Sequence, residues 1–169
     1  NGMHLPPFFF DHLKDVGTHA QLSVPVAQNG GRFPVVLFSP GAQGFRQHNM
    51  FQVEELVSQG YVVAGIDHPG SATAVVFPDG RKVMFNPTVL NIPRFFKDIP
   101  WANGVFDYLG EDVSFVVGKM VELDKSDPTL KGRLDTDHAG IFGMSMGGLA
   151  AAEGCRIDPR LRACYIQDV

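Results

Sequence analysis

Short apolar runs alternate along the chain with segments in which apolar residues recur every three or four positions. Buried parallel strands are nearly continuous in apolar residues, so the short runs predict strands at residues 34–39, 61–67, 138–142 and 163–168. A further edge strand is predicted at residues 20–27, followed by an Asn-Gly-Gly turn.

The segments between these strands predict helices. One is expected at residues 45–59, where Gly60 ends it, and another at residues 146–153. A third has one apolar face formed by Val105, Leu109, Val113, Val116, Met120 and Leu123. Residues 70–100 contain several prolines and a Pro-Asp-Gly turn, which predicts an irregular excursion. This alternation predicts an α/β fold with a mostly parallel sheet flanked by helices.

The composition is that of a globular protein and predicts one domain over residues 1–169, since 44% of residues are hydrophobic and 19% are charged. The net charge of −4, without a basic run, argues against a nucleic-acid partner. No apolar stretch has the length of a membrane span. The location is left open, with a secreted protein favoured over a cytoplasmic one.

Ser145 lies in the pentapeptide Gly143-Met144-Ser145-Met146-Gly147, between a predicted strand and a predicted helix. A serine hydroxyl must stand clear of the backbone for a base to activate it, and flanking glycines permit the sharp turn that achieves this. The pattern therefore predicts a nucleophile elbow. The alternative is a glycine-rich helix start or a phosphate-binding loop, but the motifs of such loops are not found here.

A second glycine-punctuated loop follows the strand at residues 34–39 and contains Gly41, Ala42, Gln43 and Gly44. Acyl transfer builds negative charge on a carbonyl oxygen, which prepositioned backbone N–H groups stabilise. In hydrolases of this plan one donor follows the nucleophile and the other comes from the loop after the third strand. These donors would be Met146 and Ala42.

Four segments together resemble platelet-activating-factor acetylhydrolase-type serine esterases of the α/β-hydrolase superfamily. The segments are residues 38–46, 67–72, 112–116 and the elbow. The resemblance implies an α/β-hydrolase fold and metal-free, cofactor-free hydrolysis of short-chain or phospholipid-type esters. Where the family usually has His-Gly after the third strand, this chain has Pro40-Gly41.

The resemblance also implies that the catalytic acid ends the strand after the nucleophile helix, where Asp168 stands. A carboxylate at that edge can orient an imidazole and stabilise its charged form. Asp158 is a weaker rival, because Asp158-Pro159 has the pattern of a turn.

The triad histidine should follow the acid, yet all six histidines, at positions 4, 12, 19, 48, 68 and 138, precede Ser145. We therefore expect this chain to be a fragment, or one chain of a cleaved enzyme, with a second chain or missing segment supplying the histidine. His68 and Gln43 are candidates for lining the pocket, and a catalytic role for His68 is the less favoured reading.

Two further groups of residues leave alternatives open. Phe95, Phe96 and Trp101 lie in the irregular excursion, where core packing is favoured over an acyl pocket, a lid or a lipid-surface patch. For Cys155 and Cys164, two buried free thiols are favoured over a disulfide.

The expected activity is that of a serine esterase acting through an acyl-enzyme. Two alternatives stay open: a polyester or cutinase-like hydrolase, whose acid would follow a later strand, and a non-catalytic binding module of the same fold.

Overall fold

The computed structural model describes residues 6–27, 30–88 and 107–169. In chain order the elements are a 3₁₀ helix (Pro7–Asp15), β1 (Phe33–Ser39), α1 (Met50–Ser58), β2 (Val62–Gly65), β3 (Ala74–Val76), β4 (Lys82–Met84), α2 (Asp107–Ser126), β5 (Leu134–Met144), α3 (Met146–Ile157) and β6 (Leu161–Gln167).

Four parallel strands form the main sheet in the order β2-β1-β5-β6. From β1 the chain passes to β2 on one side, whereas β5 and β6 extend the sheet on the other side. The strand order therefore reverses between β1 and β5. In open α/β sheets, ligands bind at the carboxyl ends of the strands at such a switch point. The ends of β1 and β5 are Ser39 and Met144.

Helices α2 and α3 cover one face of this sheet. Leu37 of β1 and Ile141 of β5 pack there with Val113 of α2 and Ala150 of α3 in one buried cluster. Small residues on α3 allow the helix to approach the sheet closely, and a Cβ at Gly154 would lie 2.6 Å from a methyl carbon of Val113. The helix that follows Ser145 is thus fixed against both α2 and the sheet. Of the described helices, none has the length and apolar character that crossing a bilayer requires.

The opposite face carries α1 and is partly open. Side chains alternate between the two faces of a strand, so Val36 and Phe142 point away from the buried cluster. They line an apolar groove of about 550 Å³ together with Phe51 of α1 and Tyr165 of β6. Tyr165 is 63% exposed and Phe51 is 74% exposed.

Several elements differ from the sequence-based expectations. Residues 20–27 form no strand, because Ser23 has a left-handed φ of 58° and Pro25 lacks the N–H that a ladder needs. The first α-helix begins at Met50 rather than at residue 45, after a turn. The Pro-Asp-Gly turn joins β3 and β4 into a small antiparallel hairpin that was not predicted.

Cys155 and Cys164 form a disulfide that joins α3 to β6, with the two Cα atoms 6.6 Å apart. The expectation of two buried free thiols was wrong. Cys155 is only partly buried and Cys164 is exposed, because β6 is a strand at the edge of the described sheet. The disulfide crosses the contact between α3 and β6.

Candidate active site

Ser145 occupies the tight turn between β5 and α3, as expected of a nucleophile elbow. Its backbone has φ 54° and ψ −124°, a conformation that non-glycine residues rarely adopt. Two contacts hold the turn: the Ser145 N–H donates to the Gln167 carbonyl over 2.8 Å, and the Ser145 carbonyl accepts from the Gly148 N–H, also over 2.8 Å. Ser145 is exposed although its neighbours Gly143 and Met146 are buried. The turn thus presents the hydroxyl to solvent.

The glycines around the serine are required by close backbone packing. A Cβ at Gly143 would lie 2.1 Å from the Gly147 carbonyl oxygen, and a Cβ at Gly147 would lie 2.0 Å from the Ser39 carbonyl oxygen. A Cβ at Gly148 would lie 2.5 Å from a methyl carbon of Val169. Side chains at these positions would push α3 away from β1 and from the end of β6.

The two expected oxyanion donors lie beside the serine. A Cβ at Gly41 would lie 3.4 Å from the Ser145 Cβ, so the loop after β1 touches the nucleophile. The N–H groups of Ala42 and Met146 donate to no acceptor within the described residues. Met146 N–H is also at the N-terminus of α3, where the helix dipole favours negative charge. The N-terminus of α3 therefore favours negative charge next to Ser145.

Asp168 is the residue directly after β6. Strand β6 lies next to β5, the strand that leads into the elbow. The register pairs Met144 with Gln167, which brings Asp168 level with Ser145. Asp168 is exposed and has a left-handed φ of 53°. Its position at the carboxyl edge is the one that a catalytic acid needs.

Asp158, the rival acid, lies at the other end of β6 and is 3% exposed. It accepts hydrogen bonds from the Arg160 guanidinium and from Ser114 Oγ. The bond from Arg160, more than that from Ser114, lowers the pKa of Asp158 from 3.8 to about 2. Asp158 is thus a structural anion far from the elbow.

None of the described histidines contacts Ser145. His19 bonds to Glu54, and His138 bonds to Asp135 near the start of β5. His138 lies within this strand, which begins at Leu134 and thus before the predicted start at residue 138. His48 packs its ring 3.9 Å from that of Phe45.

His68 was a candidate for lining the pocket, but it is 1% exposed and lies beneath the surface of the site. Its Nδ1 lies 2.8 Å from an Asp112 carboxylate oxygen, and its Nε2 lies 2.9 Å from Ser39 Oγ. The sequence analysis missed this Ser-His-Asp chain. The clue was available, since two of the segments that carry the family resemblance contain His68 and Asp112.

This buried chain has the connectivity of a catalytic triad but lacks an accessible nucleophile, because Ser39 is 0% exposed. Gln43, the other pocket candidate, is exposed next to Ala42, with a left-handed φ of 61°. Phe95, Phe96 and Trp101 lie outside the described residues. Within those residues, no three His, Cys, Asp or Glu side chains gather as a metal site would require.

The chain is similar to known proteins over much of its length. Residues 10–84 match the family "Platelet-activating factor acetylhydrolase, isoform II". The chain is 25% identical to the platelet-activating factor acetylhydrolase of Bos taurus, over 92% of this chain and 43% of the relative. It is 23% identical to that of Cavia porcellus, over 85% of this chain and 38% of the relative. The chain thus spans less than half the length of these relatives.

Among solved structures, a ferulic acid esterase from Streptomyces cinnamoneus superposes with a TM-score of 0.57 and 29% identity. The match covers 79% of this chain and 35% of the esterase. Together with the parallel sheet, the elbow and the loop after β1, these similarities confirm both the expected fold and the expected resemblance. The chain has the α/β-hydrolase fold and is similar to the platelet-activating factor acetylhydrolases.

Proposed function

We propose that the protein containing this chain is a serine carboxylic-ester hydrolase. One observation carries the proposal: an exposed Ser145 in a strained elbow lies beside two backbone N–H groups that have no acceptor among the described residues. Strain of this kind costs about 1–3 kcal/mol and is typical of functional turns. A merely structural turn at this position would have no need of it.

In the proposed reaction, Ser145 Oγ forms a bond to the acyl carbon of the ester while a histidine accepts its proton. The carbonyl oxygen becomes an oxyanion and accepts hydrogen bonds from the Ala42 and Met146 amides. The bond to the leaving oxygen then breaks, and the alcohol departs with the proton. Water then attacks the acyl carbon of the acyl-enzyme while the histidine accepts a proton from the water. The bond to Ser145 Oγ breaks, the serine regains the proton, and the carboxylic acid is released. Asp168 orients the histidine.

The proposed histidine lies on a further segment or a second chain that completes the sheet. The exposed edge of β6 supports this, because Tyr165, which lines the apolar groove, is 63% exposed, and Ile166, on the other face of β6, is 45% exposed. Apolar surface of this extent favours burial by another element. A partner packed along β6 would approach Asp168, and therefore the elbow.

Short-chain or phospholipid-type esters are the proposed substrates. The two mammalian relatives are named for platelet-activating factor, and the bacterial neighbour is named for an aromatic ester. The chemistry that these names share is hydrolysis of a carboxylic ester, and this is the reaction that we propose. We also propose a secreted protein, because disulfides such as Cys155–Cys164 persist in oxidising compartments.

The testing experiment labels the full-length protein with a fluorophosphonate, which reacts with activated serines, and locates the adduct by mass spectrometry. We expect an adduct on Ser145 that Ser145→Ala abolishes and Ser114→Ala retains. Hydrolysis of acetyl and longer acyl esters is measured in parallel, and Asp168→Asn should lower kcat by about 10⁴-fold. A folded protein that takes up no label would instead be a binding module.

A further inference from the structure

We propose that His68 and Asp112 are positioning residues that hold the oxyanion loop, residues 40–44, in register with the nucleophile elbow. The inference rests on the function proposed above and adds residues that do not touch the substrate. It starts from the hydrogen bonds of the buried imidazole. The Asp112 carboxylate accepts from Nδ1–H, which leaves Nε2 to accept from the Ser39 hydroxyl.

Ser39 is the residue from which the oxyanion loop departs. Its carbonyl oxygen lies 2.0 Å, and that of Pro40 2.6 Å, from the point that a Cβ on Gly147 would occupy. The root of the loop is therefore in direct backbone contact with the first turn of α3. A displacement of Ser39 would move this contact, and with it the distance between the Ala42 and Met146 amides.

The segment that contains His68 also holds the far side of the loop. The His68 carbonyl accepts from the Ser71 N–H over 3.0 Å, and the Ser71 carbonyl accepts from the Gln43 N–H over 2.8 Å. Thr73 Oγ1 donates to the Gln43 carbonyl over 2.6 Å. Gln43 adjoins Ala42, so one neighbour of the proposed donor is held through both its N–H and its carbonyl from this segment.

A third contact from this segment fixes the exit of the loop. The Asp67 carboxylate accepts from the Arg46 N–H over 2.7 Å and from the Arg46 guanidinium over 2.9 Å. His68 is central to the whole arrangement, because its side chain reaches the start of the loop and its backbone carbonyl reaches the turn that binds Gln43. Asp112 anchors this arrangement to α2, which packs in the core through Val113.

The chemistry explains why an imidazole is buried here. A hydrogen-bonded imidazole costs little to bury when both nitrogens are satisfied, and a buried polar network specifies one geometry more sharply than apolar packing does. Oxyanion donors act only when they are placed within a few tenths of an ångström of the developing charge. Misplacement therefore lowers kcat more than it raises KM.

The test compares Ser39→Ala with Ser114→Ala in the full-length protein. Ser114 Oγ likewise donates one hydrogen bond to a partly buried group, Asp158, but it lies away from the loop. Both variants should lose similar stability. Only Ser39→Ala should lower kcat, by about 10-fold to 10²-fold with KM within about twofold. It should also speed hydrogen exchange in residues 40–46, measured by mass spectrometry.

Two further variants separate positioning from general loss of structure. His68→Gln can keep the bond to Ser39, so it should retain more activity than His68→Ala. Asp112→Ala should show the kcat defect without unfolding, because the Asp112 side chain is 40% exposed. If Ser39→Ala and Asp112→Ala match the Ser114→Ala control in kcat and in loop exchange, the positioning role is refuted.

The two proposals fail in different ways. A wild-type protein that neither hydrolyses esters nor takes up fluorophosphonate refutes the proposed function. The loop-exchange comparison still decides the positioning claim in that case, because it needs no turnover. Faster exchange in residues 40–46 of Ser39→Ala supports it, and unchanged exchange overturns it.

Discussion

Replacing Gly147 by alanine should separate the oxyanion loop from the nucleophile helix. The added Cβ would lie 2.0 Å from the Ser39 carbonyl oxygen, and real Cβ contacts essentially never fall under 3.0 Å. The backbone must therefore open by about 1 Å, since the opposing atoms are carbonyl oxygens with no rotamer to relax. Overpacking of this kind costs about 1–3 kcal/mol. The better helix propensity of alanine offsets less than about 1 kcal/mol.

Gly147→Ala is thus expected to lower the free energy of unfolding by about 1–2 kcal/mol, measured by urea denaturation. The catalytic effect should be larger, because a misplacement of about 1 Å in an active site can cost about 10²-fold in rate. Ester hydrolysis at saturating substrate measures that loss directly.

Gly118→Ala is the matched control, because Gly118 is also helical and a Cβ there would have no atom within 4 Å. We expect this variant to gain about 0.5–1 kcal/mol from helix propensity and to keep wild-type kcat. The reasoning is refuted if Gly147→Ala is as stable and as active as Gly118→Ala.

Three more outcomes are expected. Ser145→Ala should abolish ester hydrolysis and leave stability nearly unchanged, since alanine keeps the Cβ and with it the backbone strain of the elbow; retained hydrolysis would exclude Ser145 as nucleophile. Folding lowers the pKa of Asp158 from 3.8 to about 2, so above pH 4 this carboxylate should contribute about 2 kcal/mol to the free energy of unfolding. That contribution should be lost as the pH falls towards 2. Asp158→Asn should flatten this dependence in acid titrations of unfolding, and an unchanged titration would contradict it. Reducing Cys155–Cys164, which are 9 residues apart, should cost about 2–3 kcal/mol in thermal unfolding, and an unchanged melting temperature would contradict the pairing.

The sheet strands were predictable because each is an apolar run bounded by turn residues. The elbow was predictable because its glycines are needed at fixed spacing. The start of α1 was not predictable, because the turn at residues 46–49 consists of residue types that also occur in helices. The disulfide was missed because sequence gives no distance between a helix and the next strand. That residues 1–169 form one incomplete domain stays a prediction.

The segments that carry the family resemblance contain Ser39, His68 and Asp112, but the resemblance does not show that these side chains are hydrogen-bonded to one another. The bonds depend on how α2 crosses the sheet, which no local pattern encodes. Side-chain identity suggested that His68 faces a pocket, whereas packing places it at 1% exposure. Burial, rather than connectivity, distinguishes this Ser-His-Asp chain from a reactive triad.

The Cys155–Cys164 bond links the helix that begins at the nucleophile to the strand that ends at the proposed acid. A protease that cut the turn between them, at residues 158–160, would separate the helix from the strand along the backbone. Cleavage there would leave both pieces in one covalent molecule, and only subsequent reduction would release them. The proposed nucleophile and the proposed acid would thus stay in one covalent molecule after a backbone cut.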